Sequence, residues 1–99
     1  MADLARDIRL AVDTGKVALG YREVEKSISS AEAKAVVIAE KGEKSRINDI
    51  KHMCNIAGIK VIKYNDGSLE LGMVCGKPYS VNALAIIDPG HSNILNEEY

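Results

Sequence analysis

Aromatic side chains are scarce in this sequence, which has no Trp, no Phe and four Tyr. The hydrophobic content is nevertheless 46%, so a core must be assembled mainly from Ile, Val, Leu, Ala and Met. A chain of 99 residues buries about 60–65% of its unfolded surface on folding, which suffices for one core without disulfides or metals. We therefore predict a single globular domain over residues 1–99.

Cysteines and long apolar runs are also few. Cys54 and Cys75 lie 21 positions apart and match no metal-ligand or redox spacing, so we interpret both as buried thiols in a reducing cytosol. No apolar run approaches the roughly 20 residues of a membrane span, and the N-terminal stretch carries too many charges for a signal peptide. We expect a cytoplasmic protein with no membrane partner.

The chain lacks the strong basic excess of many nucleic-acid-binding domains, since its formal net charge is −1. The charge is unevenly distributed, however. Residues 16–51 carry eight Lys or Arg against six Asp or Glu, whereas residues 1–15 carry two against three and residues 53–99 carry three against five. The modest basic excess therefore lies in residues 16–51, the better candidate region for an anionic partner.

Apolar periodicity predicts four helices that alternate with four short strands, followed by a loosely held segment at 91–99. Two strands are almost entirely apolar, which is typical of strands covered on both faces. Ser68 is expected to cap the last helix. The predicted helices are 3–13, 20 to 29 or 30, 45–57 and 68–75, and the predicted strands are 17–19, 35–39, 60–64 and 81–87. This order predicts an α/β fold with helices on both faces of one sheet.

The strongest functional candidate is the stretch 15–26, with the sequence GKVALGYREVEK. Gly20 opens a helix without a Ser, Thr, Asp or Asn cap, so the first backbone N–H groups lack a side-chain acceptor. Such a helix start suits a phosphate or a base edge. Arg22 and Lys26 are four residues apart and share a face of this helix. The alternative is an ordinary amphipathic surface helix, which this stretch alone supports about equally.

No catalytic constellation is visible in the sequence. Gly15 and Gly20 have the spacing of a phosphate-binding loop, but the next residues are Tyr21 and Arg22 instead of Lys and Ser or Thr. His52 has a cysteine two positions further along the same predicted helix, where the two side chains point to different sides. We therefore predict neither enzymatic activity nor a cofactor, a metal or a small-molecule substrate.

Tyr79 follows a Gly-Lys-Pro turn and precedes the last predicted strand, so we expect it on a loop. An exposed aromatic ring at such a position is a stacking platform for an unpaired base. The alternative is a tyrosine half-buried against the edge of the sheet.

Four short motifs together resemble the L-thirty-e family of archaeal large-subunit ribosomal proteins, within the wider L-seven-Ae group of kink-turn RNA binders. They are Leu-Gly-Tyr-Arg at 19–22, Leu-Glu-Leu-Gly at 69–72, Cys-Gly-Lys-Pro-Tyr at 75–79 and Ala-Ile-Ile-Asp-Pro-Gly at 85–90. The resemblance covers nearly the whole chain. It implies a three-layer α/β/α sandwich with a four-stranded mixed sheet, and binding to RNA where a bulge kinks a stem beside sheared G·A pairs.

The resemblance also implies which residues contact RNA. They come from the glycine-opened helix, the loop after the central strand and the aromatic loop before the last strand. This sequence departs from the family at Lys41, where many members have Asn, at Ser80, where some have Arg, and at His52-Met53, where a Tyr pair is usual. The residues implied for the site are Gly20, Arg22, Glu23, Lys26, Lys41, Arg46, Tyr79 and Val81.

The resemblance therefore predicts a structural component of the large ribosomal subunit that binds ribosomal RNA and is monomeric when isolated. One alternative is a stand-alone kink-turn binder in a small ribonucleoprotein. Another, from a different class, is a small α/β enzyme or nucleotide-binding domain.

Overall fold

The computed structural model describes residues 3–42, 44–97 and 99. Among these residues, no helix is both long and apolar enough to cross a membrane. The helices are α1 (Leu4–Thr14), α2 (Tyr21–Ser29), α3 (Lys44–Ala57) and α4 (Ser68–Val74). The strands are β1 (Lys16–Leu19), β2 (Ala35–Ala39), β3 (Lys60–Tyr64) and β4 (Ala83–Asp88).

The strands form one mixed sheet in the order β1-β4-β2-β3. β4 pairs antiparallel with β1 and with β2, while β2 pairs parallel with β3. The carboxyl ends of β1, β2 and β3 consequently lie at the same end of the sheet as the amino end of β4. We call this region the loop end; it comprises Gly20 and residues 40–42, 65–67 and 76–82.

β2 shows why helices cover both faces of the sheet, since all five of its side chains are buried. Ala35, Val37 and Ala39 pack in a core shared with α1 and α4. Val36 and Ile38 face the other way, into a core shared with α2 and α3. Alternate side chains of a strand point to opposite faces, so an entirely apolar strand requires two apolar layers. The predicted three-layer α/β/α sandwich is confirmed.

The composition of the core differs from the prediction in one respect. Among the described residues, Ile, Val, Leu, Ala and Cys form nearly all of the buried apolar set and Tyr21 is its aromatic member, but no Met belongs to it. Met53 is half-buried and Met73 is exposed. The unbranched thioether suits irregular gaps, whereas the β-branched strands already fill both layers.

Most element boundaries agree with the prediction within one residue, but the two elements beside the Tyr79 loop need correction. β4 begins at Ala83 and not at 81, because the N–H of Val81 donates to the carbonyl oxygen of Ser68 in α4 (2.9 Å). Ser68 is the first residue of α4 and does not cap it. The cap position is Gly67, which has no side chain to accept a bond.

The segment after β4 packs against α1 and β3, where the sequence predicts a loosely held tail. Ile94 is fully buried in the core beneath α1. The hydroxyl of Ser92 donates to the carbonyl oxygen of Asp7 (2.6 Å), and the ammonium of Lys60 donates to the carbonyl oxygen of Glu97 (2.9 Å). Ile94, together with the partly buried Leu95 beside it, therefore anchors the segment.

Candidate nucleic-acid interface

Backbone hydrogen bonds fasten the loop end together. The N–H of Gly20 donates to the carbonyl oxygen of Ala83, and the N–H of Ala39 donates to that of Asn82, both at 2.9 Å. These bonds continue the pairing of β4 with its two neighbours to the last residue of each strand. The start of α2, the loop after β2 and the loop before β4 are therefore neighbours in space, although they lie far apart in sequence.

The start of α2 is open. Gly20 occupies the cap position with φ +91°, a conformation that favours glycine, and no described atom lies within 4 Å of the position that a Cβ would take there. No side chain among the described residues accepts a hydrogen bond at this cap. The helix dipole and the open approach thus favour an acceptor group from another molecule.

Glu23 and Lys26 form an ion pair next to this open start. Their side-chain oxygen and nitrogen lie 3.8 Å apart, and the side chains are 56% and 70% exposed. Exposed ion pairs of this kind contribute little to stability. Because both side chains are exposed, each charged group remains accessible to a ligand. Arg22 is also exposed on α2. One acceptor and two cations are therefore exposed on α2 within two turns of Gly20.

Arg46 joins α3 to α2. The guanidinium carbon lies 4.9 Å from the centre of the Tyr21 ring, and Tyr21 is only 9% exposed. A cation over an aromatic face contributes about 0.5–1 kcal/mol at an exposed site. The ring of Tyr21, the first residue of α2, therefore orients the Arg46 guanidinium near the loop end.

The loop after β2 carries Lys41, which is exposed and whose N–H donates to the carbonyl oxygen of Asp66 (3.2 Å). The following residue, Gly42, packs against the loop before β4. A Cβ at Gly42 would lie 2.8 Å from Oδ1 of Asn82. The absence of a side chain at Gly42 therefore lets the two loops approach each other.

Tyr79 is 53% exposed on the loop between α4 and β4, as the sequence predicts. This loop packs closely against α4 at Gly72. A Cβ at Gly72 would lie only 2.0 Å from the carbonyl oxygen of Tyr79, so this close approach requires glycine. The N–H of Lys77 also donates to the carbonyl oxygen of Gly72 (2.9 Å). The tyrosine ring is thus presented to solvent on a backbone that α4 fixes.

Val81 is the one proposed contact that the structure buries, with 1% of its surface exposed. Its side chain packs with Leu71 and Leu84 in the core beneath α1 and α4. It supports the Tyr79 loop from the core side, and its contact with RNA stays a prediction. Gly72 supports the loop end from α4 and Asn82 lies within it; the sequence assigns no role to either, because each acts through a tertiary contact.

The two cysteines are structural. Cys54 is fully buried and Cys75 is 2% exposed. Burial raises the pKa of the Cys75 thiol to about 11, although Lys77 and Arg9 act in the opposite direction. Burial also raises the pKa of Cys54. Thiols that stay protonated and covered are poor nucleophiles. Within residues 3–42, 44–97 and 99, no group of three or more His, Cys, Asp or Glu side chains is arranged to hold a metal.

The fold and these loops define a three-layer α/β/α domain with charged and aromatic groups gathered at one end of a mixed sheet. This chain belongs to the Ribosomal protein L7Ae/L30e/S12e/Gadd45 family, which it matches over residues 2–96. The resemblance inferred from the four sequence motifs is thereby confirmed.

Several relatives match the chain over almost its full length. It is 38% identical over 95 residues to the large ribosomal subunit protein eL30 of Pyrobaculum islandicum, covering 96% of this chain and 94% of that protein. It is 39% identical over 97 residues to the protein of the same name from Methanobrevibacter smithii, with 98% of each chain covered. For the Methanococcus vannielii protein the identity is 43% over 94 residues, with 95% and 90% covered.

Proposed function

We propose that this protein is a structural component of the large ribosomal subunit and binds kinked ribosomal RNA through its loop end. The observation that carries the proposal is the convergence of the open start of α2, the loop after β2 and the Tyr79 loop. The names of the relatives support the ribosomal assignment. The protein acts in the cytoplasm by binding, with no enzymatic activity of its own.

The contacts divide by chemistry. Arg22 and Lys26 contact phosphates or nearby base edges, and Gly20 lets the RNA approach the first N–H groups of α2. Glu23 accepts hydrogen bonds from guanine N–H groups that sheared G·A pairing exposes, because an ionised carboxylate is an acceptor only. Tyr79 stacks on an extruded base.

On the α3 side, Lys41 and Arg46 add cations to the same surface. Lys41 lies on a loop fixed by its own backbone bond, and Arg46 is held over the Tyr21 ring. The Arg46 side chain and the Lys41 backbone are therefore oriented before RNA arrives, which lowers the entropy lost on binding.

The test compares two RNAs that differ only in the kink. One has a bulge flanked by tandem G·A pairs, and in the other Watson–Crick pairs replace the G·A pairs. We expect the protein to bind the first RNA more tightly by a margin that persists at moderate salt. Equal affinity for both would contradict the proposal. Co-sedimentation with large ribosomal subunits at the same salt distinguishes a ribosomal component from a binder that serves a separate small ribonucleoprotein.

A further inference from the structure

The two flanks of α3 have different surroundings. One flank faces α2, since the Arg46 guanidinium lies over the Tyr21 ring. The side chains of Ile47, Ile50 and Cys54 point inward to the core. The opposite flank carries a row of amine and amide side chains, spaced four, three and four residues apart and therefore aligned along the helix. These residues are Lys44, Asn48, Lys51 and Asn55.

β3 continues this flank. Val61 packs in the core under α2 and α3, whereas Ile62 packs in the opposite core. By strand alternation Lys63 projects on the α3 side of the sheet, at the free edge of β3. α3 connects two parallel strands and so runs back along them, which brings the carboxyl end of β3 beside the first half of α3. We call the surface formed by Lys44, Lys51 and Lys63 the basic flank.

The basic flank carries three positive charges that no ion pair neutralises within the described part of the chain. Asp49, the acidic residue of α3, lies about 100° further round the helix from Asn48 and faces away. Glu40 is at the margin of the surface, where it lines a hollow with Lys63. The flank begins at the loop end, because Lys44 is the first residue of α3.

We propose that the basic flank binds the phosphate backbone of one double-helical arm of the kinked RNA, outside the contacts at the loop end. This inference rests on the proposed function. The 14 residues of α3 extend over about 21 Å, so the flank can follow an arm well beyond the kink. Unpaired ammonium groups interleaved with amides suit phosphate oxygens, which position an RNA without reading its sequence.

The test uses two double variants that remove the same charge. Lys51→Gln with Lys63→Gln removes two cations of the basic flank. Arg6→Gln with Lys34→Gln removes two cations outside both the basic flank and the loop end, one on α1 and one just before β2. Glutamine keeps the polar stem and a good helix propensity, and thermal unfolding checks that each variant folds. The probe is a kinked RNA with two long arms, together with versions in which each arm in turn is trimmed to its last pairs.

We expect the flank variant to bind the long-armed RNA more weakly and to lower the slope of log K against log salt by about 2, one unit for each lost phosphate contact. The control variant should keep the wild-type slope. Trimming one particular arm should abolish the difference between the flank variant and the wild type. Lys51→Arg with Lys63→Arg, which preserves the charge, should bind as the wild type does.

Equal salt slopes for the two Gln variants would contradict RNA binding by the basic flank. A loss of affinity that stays the same on both RNAs with trimmed arms would contradict it too. The same measurements separate this inference from the proposed function. If the wild type fails to prefer the kinked RNA over its Watson–Crick counterpart, both are wrong. If the preference holds and the flank variant binds normally, only the basic flank is wrong.

Discussion

α2 and α4 begin with the same short pattern but present different surfaces. Each has glycine at the cap position and Glu three residues later: Gly20 and Glu23 in α2, Gly67 and Glu70 in α4. At α4, Oε2 of Glu70 lies 2.8 Å from the position that a Cβ on Gly67 would take. The N–H of Gly67 also donates to the carboxylate of Asp66 (2.9 Å). Two carboxylates of the chain itself therefore occupy the space beside the start of α4, although neither accepts a cap hydrogen bond.

At α2 the equivalent carboxylate turns along the helix. Glu23 approaches Lys26 instead of its cap, and the space beside Gly20 stays empty of described atoms. Gly20 has φ +91° whereas Gly67 has φ −80°, so the backbone enters the two helices from different directions. The comparison teaches that glycine followed by Glu does not define an anion site. The direction of the carboxylate decides whether a helix start is closed by its own chain or open to a ligand.

The largest effect is expected from Gly72→Ala, because α4 acts by holding the Tyr79 loop whereas α2 acts by facing the ligand. The new Cβ would meet the carbonyl oxygen of Tyr79 at 2.0 Å, so the loop backbone must move. Overpacking of this kind lowers the free energy of unfolding by about 1–3 kcal/mol. Urea denaturation measures this loss, and we expect affinity for the kinked RNA to fall as well.

Gly58→Ala is the matched control for Gly72→Ala. Gly58 has φ +71° but no atom of the described residues within 4 Å of its Cβ position, so alanine adds backbone strain without displacing a loop. The control should lose stability and keep its RNA affinity. A Gly72→Ala protein that binds RNA as tightly as the wild type would show that the position of the Tyr79 loop is unimportant.

Tyr79→Ala comes next. A base stacked on an aromatic ring contributes about 1–3 kcal/mol to binding, and the variant should lose that amount on the kinked RNA. Tyr79→Phe keeps the ring and should lose little. Titration calorimetry with all three proteins decides between the outcomes. Equal losses from both substitutions would instead assign the contact to the hydroxyl group, and no loss from either would remove Tyr79 from the interface.

Arg22→Gln with Lys26→Gln tests the open helix start itself. Removing two cations that meet phosphates should weaken binding and flatten its salt dependence, because fewer counterions are released. Arg6→Gln with Lys34→Gln is the control, because these two cations lie on α1 and just before β2, and it should leave both quantities unchanged. Filter binding across a salt series measures the slopes. An unchanged slope in the α2 variant would place the phosphates elsewhere.

Element types could be predicted from local patterns, because they depend on neighbours in the sequence. β2 is apolar throughout, and Gly58 follows α3 with the positive φ that ends helices well. The loop end required long-range contacts instead. A glycine inside α4 suggests only a weakened helix, and the structure alone shows that it accommodates Tyr79. Val81 shows the same limit: local pattern does not reveal that this apolar residue beside an exposed aromatic is buried in the core.

The helix pattern predicted fewer of the site residues than the family resemblance did. Pattern alone selected Gly20, Arg22 and Lys26 as groups around an uncapped helix, and the structure places Gly20 at the loop end and exposes Arg22 and Lys26 on α2. Their contacts with RNA stay a prediction. The C-terminal segment was misjudged because one adjacent apolar pair, Ile94 and Leu95, has no periodicity, although both side chains pack against the core.

The smallest effects, and the sharpest test of the comparison, come from replacing the two equivalent glutamates. Glu70→Ala removes a carboxylate from the first turn of α4. A negative charge at this position interacts favourably with the helix dipole and stabilises the fold by about 0.3–1 kcal/mol. The free energy of unfolding should fall by that amount. Affinity for either RNA should not change, since this helix start is closed by its own chain. Thermal denaturation and a binding titration together measure both quantities.

Glu23→Ala should behave in the opposite way. Its partner Lys26 is exposed, so the ion pair contributes little and stability should change little. A purely electrostatic view predicts tighter RNA binding, because a negative charge near phosphates is removed. If Glu23 accepts guanine N–H donors, binding to the kinked RNA weakens despite the lost charge, and the loss shrinks on the RNA with Watson–Crick pairs. Titration of both proteins on both RNAs decides the sign, and tighter binding of the Ala variant to the kinked RNA would remove Glu23 from base recognition.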